Sequence, residues 1–354
     1  MWRQRMVRQW LLLMLVALLM RHIAVPMQLQ AQGAGSPLQA VATVPDLGSL
    51  LREVGGNQVA VTVLAKGTED PHFLEAKPSF IKLLSQADLF VQVGMELELG
   101  WAPTLLQQAG NANVVRGAVG FVDASTVITP RDVPTGPIDR SMGDVHPQGN
   151  PHYLPDPIQG LLVARLLRDR LSTVRPAQRA YFAERYTAFA QRLGTALVGE
   201  TLARKYDVEK LALLYEYGKL QEFLQSQGEA ALLGGWFGRL SPYAGTKVVA
   251  DHNIWPYFAH RFRLELIGFM EPKPGIPPST THLQVLVQAM RSQGVQLILA
   301  SAYYDPRHAR FLAQNTAAKV AEMANQVGAR PGTEEYLRMV DYNVNQLVTA
   351  LGGA

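Results

Sequence analysis

The residues best suited to chemistry in this sequence are histidines. Eight occur in the 354-residue chain, and three of them share one kind of setting. His72 follows the Val-rich run VAVTVLAKG, in TEDPH. His152 follows a long Gly- and Pro-rich stretch, in GNPHYLPDP. His252 follows KVVAD. Neutral imidazole is a borderline ligand suited to Zn2+ at about 2.0–2.1 Å, and three imidazoles with a carboxylate or a water complete a tetrahedron. Pro71 and Pro151 fix the backbone just ahead of His72 and His152. Spacing alone leaves two readings open: a metal site, or loop histidines that are solvated or hydrogen-bonded. His146, six residues before His152, stands equally between a metal role and an ordinary loop position. His260, His282 and His308 fall in helical segments and read as structural or surface residues.

Other site chemistries are missing from the chain. Cysteine is absent, which excludes a disulfide scaffold, a thiolate metal site, a Cys nucleophile and a lipid-modified Cys anchor. No G-x-x-x-x-G-K-[ST] phosphate loop, G-x-S-x-G elbow or H-E-x-x-H zinc-protease motif occurs. The formal net charge is +4, but Arg3, Arg5, Arg8 and Arg21 all lie in the first 31 residues, which hold no Asp or Glu. The remainder is neutral without a basic run, so an electrostatic footprint for nucleic acid is missing.

The elements that must position the histidines alternate. AVATVPDL, QVAVTVLAKG and DLFVQVG read as strands, separated by the helical patterns LGSLLREVGG and PSFIKLLSQA. This rhythm implies a parallel sheet with crossover helices. Residues 109–150 read mostly as loop. GTKVVADH, ELIGFME, VQLILASAYY and AAKVAEM are strands of a second lobe, alternating with helices and followed by the helix EEYLRMVDYNVNQLVTAL. Pro176 opens a long helical segment, placed over 176–205, that spans roughly 40 Å at 1.5 Å per residue. The expected fold is therefore α/β: two similar lobes, 34–175 and 206–354, each with a mainly parallel sheet, joined by one long rigid helix. Ligand sites in such sheets lie just beyond the carboxyl ends of strands. His72 and His152 come from the first lobe and His252 from the second, so they can converge between lobes.

The N-terminus reads as an address. Three arginines precede the apolar run WLLLMLVALLM at Trp10–Met20. That run falls short of the 20 or so apolar residues a spanning helix needs, so the layout is that of a secretory signal peptide over 1–33. An uncleaved membrane anchor is the alternative, because no clean A-x-A site occurs. Export points to the periplasm.

The stretches DPHFLEAKPSFIKLLSQADLFVQVGMELE, GDVHPQGNPHYLPDP and GTKVVADHNIWPYFAHRF resemble the three ligand segments of the periplasmic zinc/manganese-binding components of ABC importers, the family of ZnuA and TroA. The resemblance runs from about Val41 to Leu351. It implies two α/β lobes joined by a long helix and one ion between the lobes. It also implies His72 and His152 as first-lobe ligands and His252 as the second-lobe ligand. A carboxylate often supplies the fourth ligand in that family; here the matching position is Asn325, a poorer partner for a divalent ion. Asn325 ligates weakly, a water fills the place, or a carboxylate such as Asp305 or Glu75 reaches in; a water or a displaced carboxylate is favoured. Asp305 has a competing role as N-cap of the helix that starts at Pro306. Asp70, Asp144 and Asp251 flank the histidines and are candidates to orient their rings by accepting the free N–H, with the sequence leaving open which does so.

Three imidazoles without a Glu in the second lobe favour Zn2+, with Mn2+ the alternative. The expected function is capture of the ion and its delivery to an ABC permease and ATPase. The expected state is a non-enzymatic monomer that touches the inner membrane through the permease and binds no nucleic acid. The competing expectations are a secreted zinc hydrolase with Glu75 as base, and an extracellular adhesin or scaffold.

Overall fold

The computed structural model describes residues 36–137, 143 and 145–353. The export signal expected over 1–33, and Asp144, lie outside the described residues. Strands β1 (Leu38–Ala42), β2 (Val59–Val63), β3 (Leu89–Gln92) and β4 (Phe121–Asp123) pair in parallel in the order β2-β1-β3-β4. Strands β5 (Lys247–Ala250), β6 (Glu265–Phe269), β7 (Leu297–Ala300) and β8 (Lys319–Glu322) repeat that plan as β6-β5-β7-β8. Each chain path starts inside the sheet, moves to one edge, then returns to the other side. The reversal leaves a crevice at the carboxyl ends of the two central strands, which is where ligands sit in open α/β sheets. The central strands β3 (LFVQ) and β7 (LILA) are buried at every residue, as both faces of a parallel sheet are covered by helices.

Helix α1 (Pro45–Gly55) starts with proline in its first turn and ends at Gly56, whose φ of +51° leaves the helical region. Helices α2 (Pro78–Ser85) and α3 (Ala102–Ala109) cover the other face of the first sheet. Two elements depart from the sequence expectation here. Helix α3 was not anticipated, and β4 falls inside the stretch expected to be loop. At three residues β4 is too short to show an alternation, and its pairing with β3 (Phe90 beside Phe121) is what makes it a strand.

The connecting region is more broken than expected. Helix α4 (Pro157–Val174) is capped by Asp156, which accepts from the Ile158 N–H. A 3-10 turn at Pro176–Gln178 follows, then the long helix α5 (Arg179–Val198), and α6 (Glu200–Lys205). The 20 residues of α5 span roughly 30 Å. It ends because Gly199 takes φ +88° and ψ 157°. There the Gly234 backbone crosses closely, its N–H donating to Val198 O at 3.1 Å. Short helices α7 (Val208–Glu216), α8 (Leu220–Ser226) and α9 (Gly235–Leu240) lead into the second sheet. Helices α10 (Pro256–Arg261), α11 (Thr280–Gln293) and α12 (Pro306–Asn315) connect its strands, and α13 (Tyr336–Ala350) closes the chain.

The lobes are not independent. One hydrophobic cluster contains Leu38 and Val91 of the first sheet, Phe189 and Leu193 of α5, Val248 and Leu297 of the second sheet, and Tyr336 of α13. Smaller clusters cover the outer face of each sheet. Tyr336 is fully buried, and its hydroxyl donates to the Leu154 carbonyl at 2.6 Å. It passes so close to α4 that a methyl on Gly160 would lie 2.0 Å from its oxygen. Among the described residues no helix is long and apolar enough to cross a membrane.

Substituting Gly160→Ala should therefore cost about 1–3 kcal/mol through overpacking, read as a lower denaturant midpoint at unchanged slope. An unchanged midpoint would show that Tyr336 is not wedged against α4.

Candidate metal centre

His72 sits in a 3-10 turn, Pro71–Phe73, started by Asp70. Asp70 accepts twice from the same residue: from the His72 backbone N–H at 3.0 Å and from ring Nδ1 at 2.7 Å. The turn and the ring orientation are thus set by one carboxylate. With Nδ1 protonated toward Asp70, the Nε2 lone pair faces away from it. Burial alone would raise the Asp70 carboxyl, but the His72 hydrogen bonds and the nearby His72 and His252 charges hold it below its ordinary value.

His252 is built the same way from the second lobe. It follows β5 by two residues, and its Nδ1 donates to Glu271 Oε2 at 2.6 Å. Glu271 reaches it because of a slip in the sheet. Val248 pairs with Leu266, but Val249 pairs with Gly268, so Ile267 is an extra residue in β6. Beyond the bulge Ala250 lies beside Phe269, which carries Glu271 opposite His252; without it Met270 would stand there. Of the flanking aspartates, Asp70 orients a ring and Asp251 does not. Asp251 accepts from the His252 backbone N–H at 2.9 Å and from the Ser301 N–H and hydroxyl, tying the end of β5 to the end of β7. Burial pushes its carboxyl up to about 6.

His152 is held through its backbone, which donates to Asn150 Oδ1 at 2.9 Å. Asn150 also donates to the Asn253 carbonyl at 2.8 Å, and its own carbonyl accepts from the Tyr257 hydroxyl at 3.1 Å. Asp132 accepts from Asn253 Nδ2 at 3.1 Å. These bonds clasp the His152 loop of the first lobe to the His252 loop of the second. The His152 ring has no such partner: its Nε2 is buried without a hydrogen bond. Burial first, then the charges that His72, His252 and His146 would carry, hold its pKa well below the usual imidazole range.

Among the described residues these three side chains form the group that could hold a metal ion, with one ring nitrogen of each within 4.8 Å of the others. The ring centroids are 5.0 Å (His72–His152), 5.5 Å (His152–His252) and 5.9 Å (His72–His252) apart. Two carboxylate-oriented imidazoles and a half-buried third whose pKa is pushed down, converging from two lobes, are a donor set that fits a divalent transition metal. His146 lies beside them: its Nε2 is 3.2 Å from His72 Nε2, and the rings stack with centroids 5.3 Å apart. Tyr304 stacks on His252 with ring centroids 5.9 Å apart.

The other candidates fall elsewhere. Asn325 is buried and lines a cavity of about 30 Å3 with His152, Asp46, Tyr303 and Gln326, but its Oδ1 accepts from the Ala302 N–H at 3.3 Å. Asp305 is not drawn into the cluster. It caps α12, accepting from the Arg307 N–H, and pairs with the Arg307 guanidinium. Glu75 is exposed and outside the group. His260 pairs with Glu216, and His282 Nε2 lies 3.0 Å from the Phe269 carbonyl, both structural uses.

The family model described as "Zinc-uptake complex component A periplasmic" (ZnuA) matches residues 40–201 and 236–350. The chain belongs to this family. It is 20% identical over 321 residues to the metal ABC transporter substrate-binding lipoprotein SloC of Streptococcus mutans, covering 90% of this chain and 91% of that protein. It is 21% identical over 320 residues to the manganese-binding lipoprotein MntA of Halalkalibacterium halodurans, covering 90% and 89%. Among solved structures, a ZnuA deletion mutant with zinc bound superimposes with a TM-score of 0.65 at 19% identity, covering 90% of this chain and 99% of that one. This likeness shows the shared fold of two α/β lobes.

The buried ionisable groups give the metal-free protein an unusual pH response. Burial raises Asp46 to about 7, and Glu98 and Asp251 to about 6. Each keeps a proton that the unfolded chain releases near pH 4, so each adds stability that is lost as pH rises through 6 to 7. His152 opposes them, since only the unfolded state takes up its proton as pH falls through about 6.5. Three groups outweigh one. Melting of the metal-free chain should rise as pH drops from about 7 to about 5.5, with a slope on the order of 1 kcal/mol per pH unit. A melting point that falls over this range would contradict the burial of these carboxyls.

Proposed function

We propose that this chain is the exported metal-binding component of an ABC importer. It captures a divalent transition-metal ion between its lobes and hands the ion to a membrane permease driven by its ATPase. His72, His152 and His252 supply the ligand nitrogens. The observation that carries this reading is the convergence of the three imidazoles from both lobes, in a chain of the ZnuA family.

The chemistry of the cluster supports Zn2+ as the cargo over Mn2+. Among the described residues no Asp or Glu belongs to the group; Asp70 and Glu271 are turned to the Nδ1 atoms of His72 and His252. Imidazole suits zinc, whereas manganese favours oxygen donors. Asp70 and Glu271 raise the basicity of the rings they hold and compensate the charge of a bound ion. His152 adds a ring whose pKa is pushed down, so no proton has to leave it before it binds.

Delivery follows from the same geometry. His252 and Glu271 belong to the second lobe, His72, Asp70 and His152 to the first. Withdrawing the His252 loop from the other two rings is enough to open the site, and the clasp of Asn150, Asn253 and Asp132 is what such a movement breaks. The core shared by the lobes keeps it small.

Titration of the metal-free chain with zinc and manganese tests this reading. One equivalent of zinc should bind, more tightly than manganese. His252→Ala should weaken zinc by at least about 100-fold, and Glu271→Gln by about 10–100-fold. Zinc bound equally well by wild type and His252→Ala would remove the second lobe from the site. No binding of either ion would leave the family likeness as fold alone.

A further inference from the structure

We propose that His146 is a fourth, exchangeable imidazole of the centre. In the ion-free protein its Nε2 hydrogen-bonds His72 Nε2; on loading the ion replaces the proton between them and His146 fills the remaining coordination position. This rests on the reading of the cluster as a metal site.

Three observations support it. The first is the contact between two Nε2 atoms at 3.2 Å. Asp70 holds the His72 proton on Nδ1, so His72 Nε2 can only accept, and His146 Nε2 must donate. With His72 neutral, the contact is therefore made through the lone pair that an ion needs, and the ion must replace the proton that His146 Nε2 places there. The second is the distance itself. Two nitrogens on one tetrahedral zinc at about 2.0–2.1 Å lie about 3.4 Å apart, so His146 Nε2 is already spaced from His72 Nε2 as a second ligand would be. The third is the space it faces: His146, His152 and His252 line one cavity of about 60 Å3.

The other side chains considered for the fourth place are committed or remote. Asn325 Oδ1 accepts from the Ala302 N–H, Asp305 serves Arg307 and its helix, and Glu75 is exposed. His146 is not yet within reach of all three rings, since the tight group holds only the other three. The exchange thus needs a small inward movement of the loop before Asn150. The proton on His146 Nε2 passes to Nδ1 of the same ring through solvent. The imidazole stays neutral, its Nε2 lone pair forms the bond to the ion, and no atom changes oxidation state. Four neutral imidazoles without an anionic ligand select zinc, cobalt or nickel against manganese.

X-ray absorption of the zinc-loaded full chain counts the imidazoles. Wild type should show four and His146→Ala three with a water. Chelator competition should give the variant about 10–100-fold weaker zinc binding, partly restored by free imidazole, a recovery that a merely structural loss would not show. His146→Gln, which keeps a polar side chain in the loop, should behave like His146→Ala. A wild type with three imidazoles, or variants that bind zinc as wild type does, would overturn the proposal while leaving the metal site standing. A wild type that binds neither zinc nor cobalt would sink the metal reading and this inference together.

Discussion

Two hydrogen bonds decide what this cleft can do: His72 Nδ1 to Asp70 and His252 Nδ1 to Glu271. An imidazole has two nitrogens and one proton when neutral, so fixing the proton on one of them aims the lone pair of the other. Each lobe contributes one such aimed ring. Between them lies His152, held by its backbone N–H, its ring Nε2 without a hydrogen bond and its pKa pushed down. Without the two carboxylates the rings could rotate, exchange tautomers or take up a second proton, and three imidazoles this close would repel one another.

The lobes reach this arrangement by parallel means. In each, a buried carboxylate ties together the strand ends where the chain path reverses. In the second lobe it is Asp251, bonded to Ser301 and the His252 backbone. In the first it is Glu98, which accepts from the Thr43 hydroxyl at 2.6 Å and from the Val93 and Gly94 N–H groups. Both acids are 3% exposed or less, and both are pushed up to about 6 by burial. They satisfy backbone donors that the ends of parallel strands would otherwise leave unpaired at the bottom of a cleft.

Much of this was legible in the sequence. His72 and His252 each follow an apolar run that ends in a loop, and His152 follows a Gly- and Pro-rich stretch; the structure brings the three rings together. The alternation of strands and helices gave the two sheets. What was hidden depended on registers and turns that local pattern does not reveal. Glu271 lies 19 residues from His252, and only the extra residue Ile267 in an edge strand brings it opposite. The break of the long helix at Gly199 arises from a distant chain crossing at Gly234. The place of Asp305 was readable as a cap and is one. His146 looked like one loop histidine among several, because its partner is 74 residues away in the chain.

The cluster that runs from Leu38 through Phe189 to Leu297 and Tyr336 gives the two lobes a common thermodynamic fate. Neither sheet can lose its inner face to water without exposing apolar side chains of the other, so the transition should be one cooperative event for the whole of Pro37–Ala354. Any ligand that binds only the folded chain then stabilises the entire molecule. The lobes are thus poor candidates for separation into modules: a fragment ending before α13 would lack Tyr336 and leave the interior of the first lobe open to solvent.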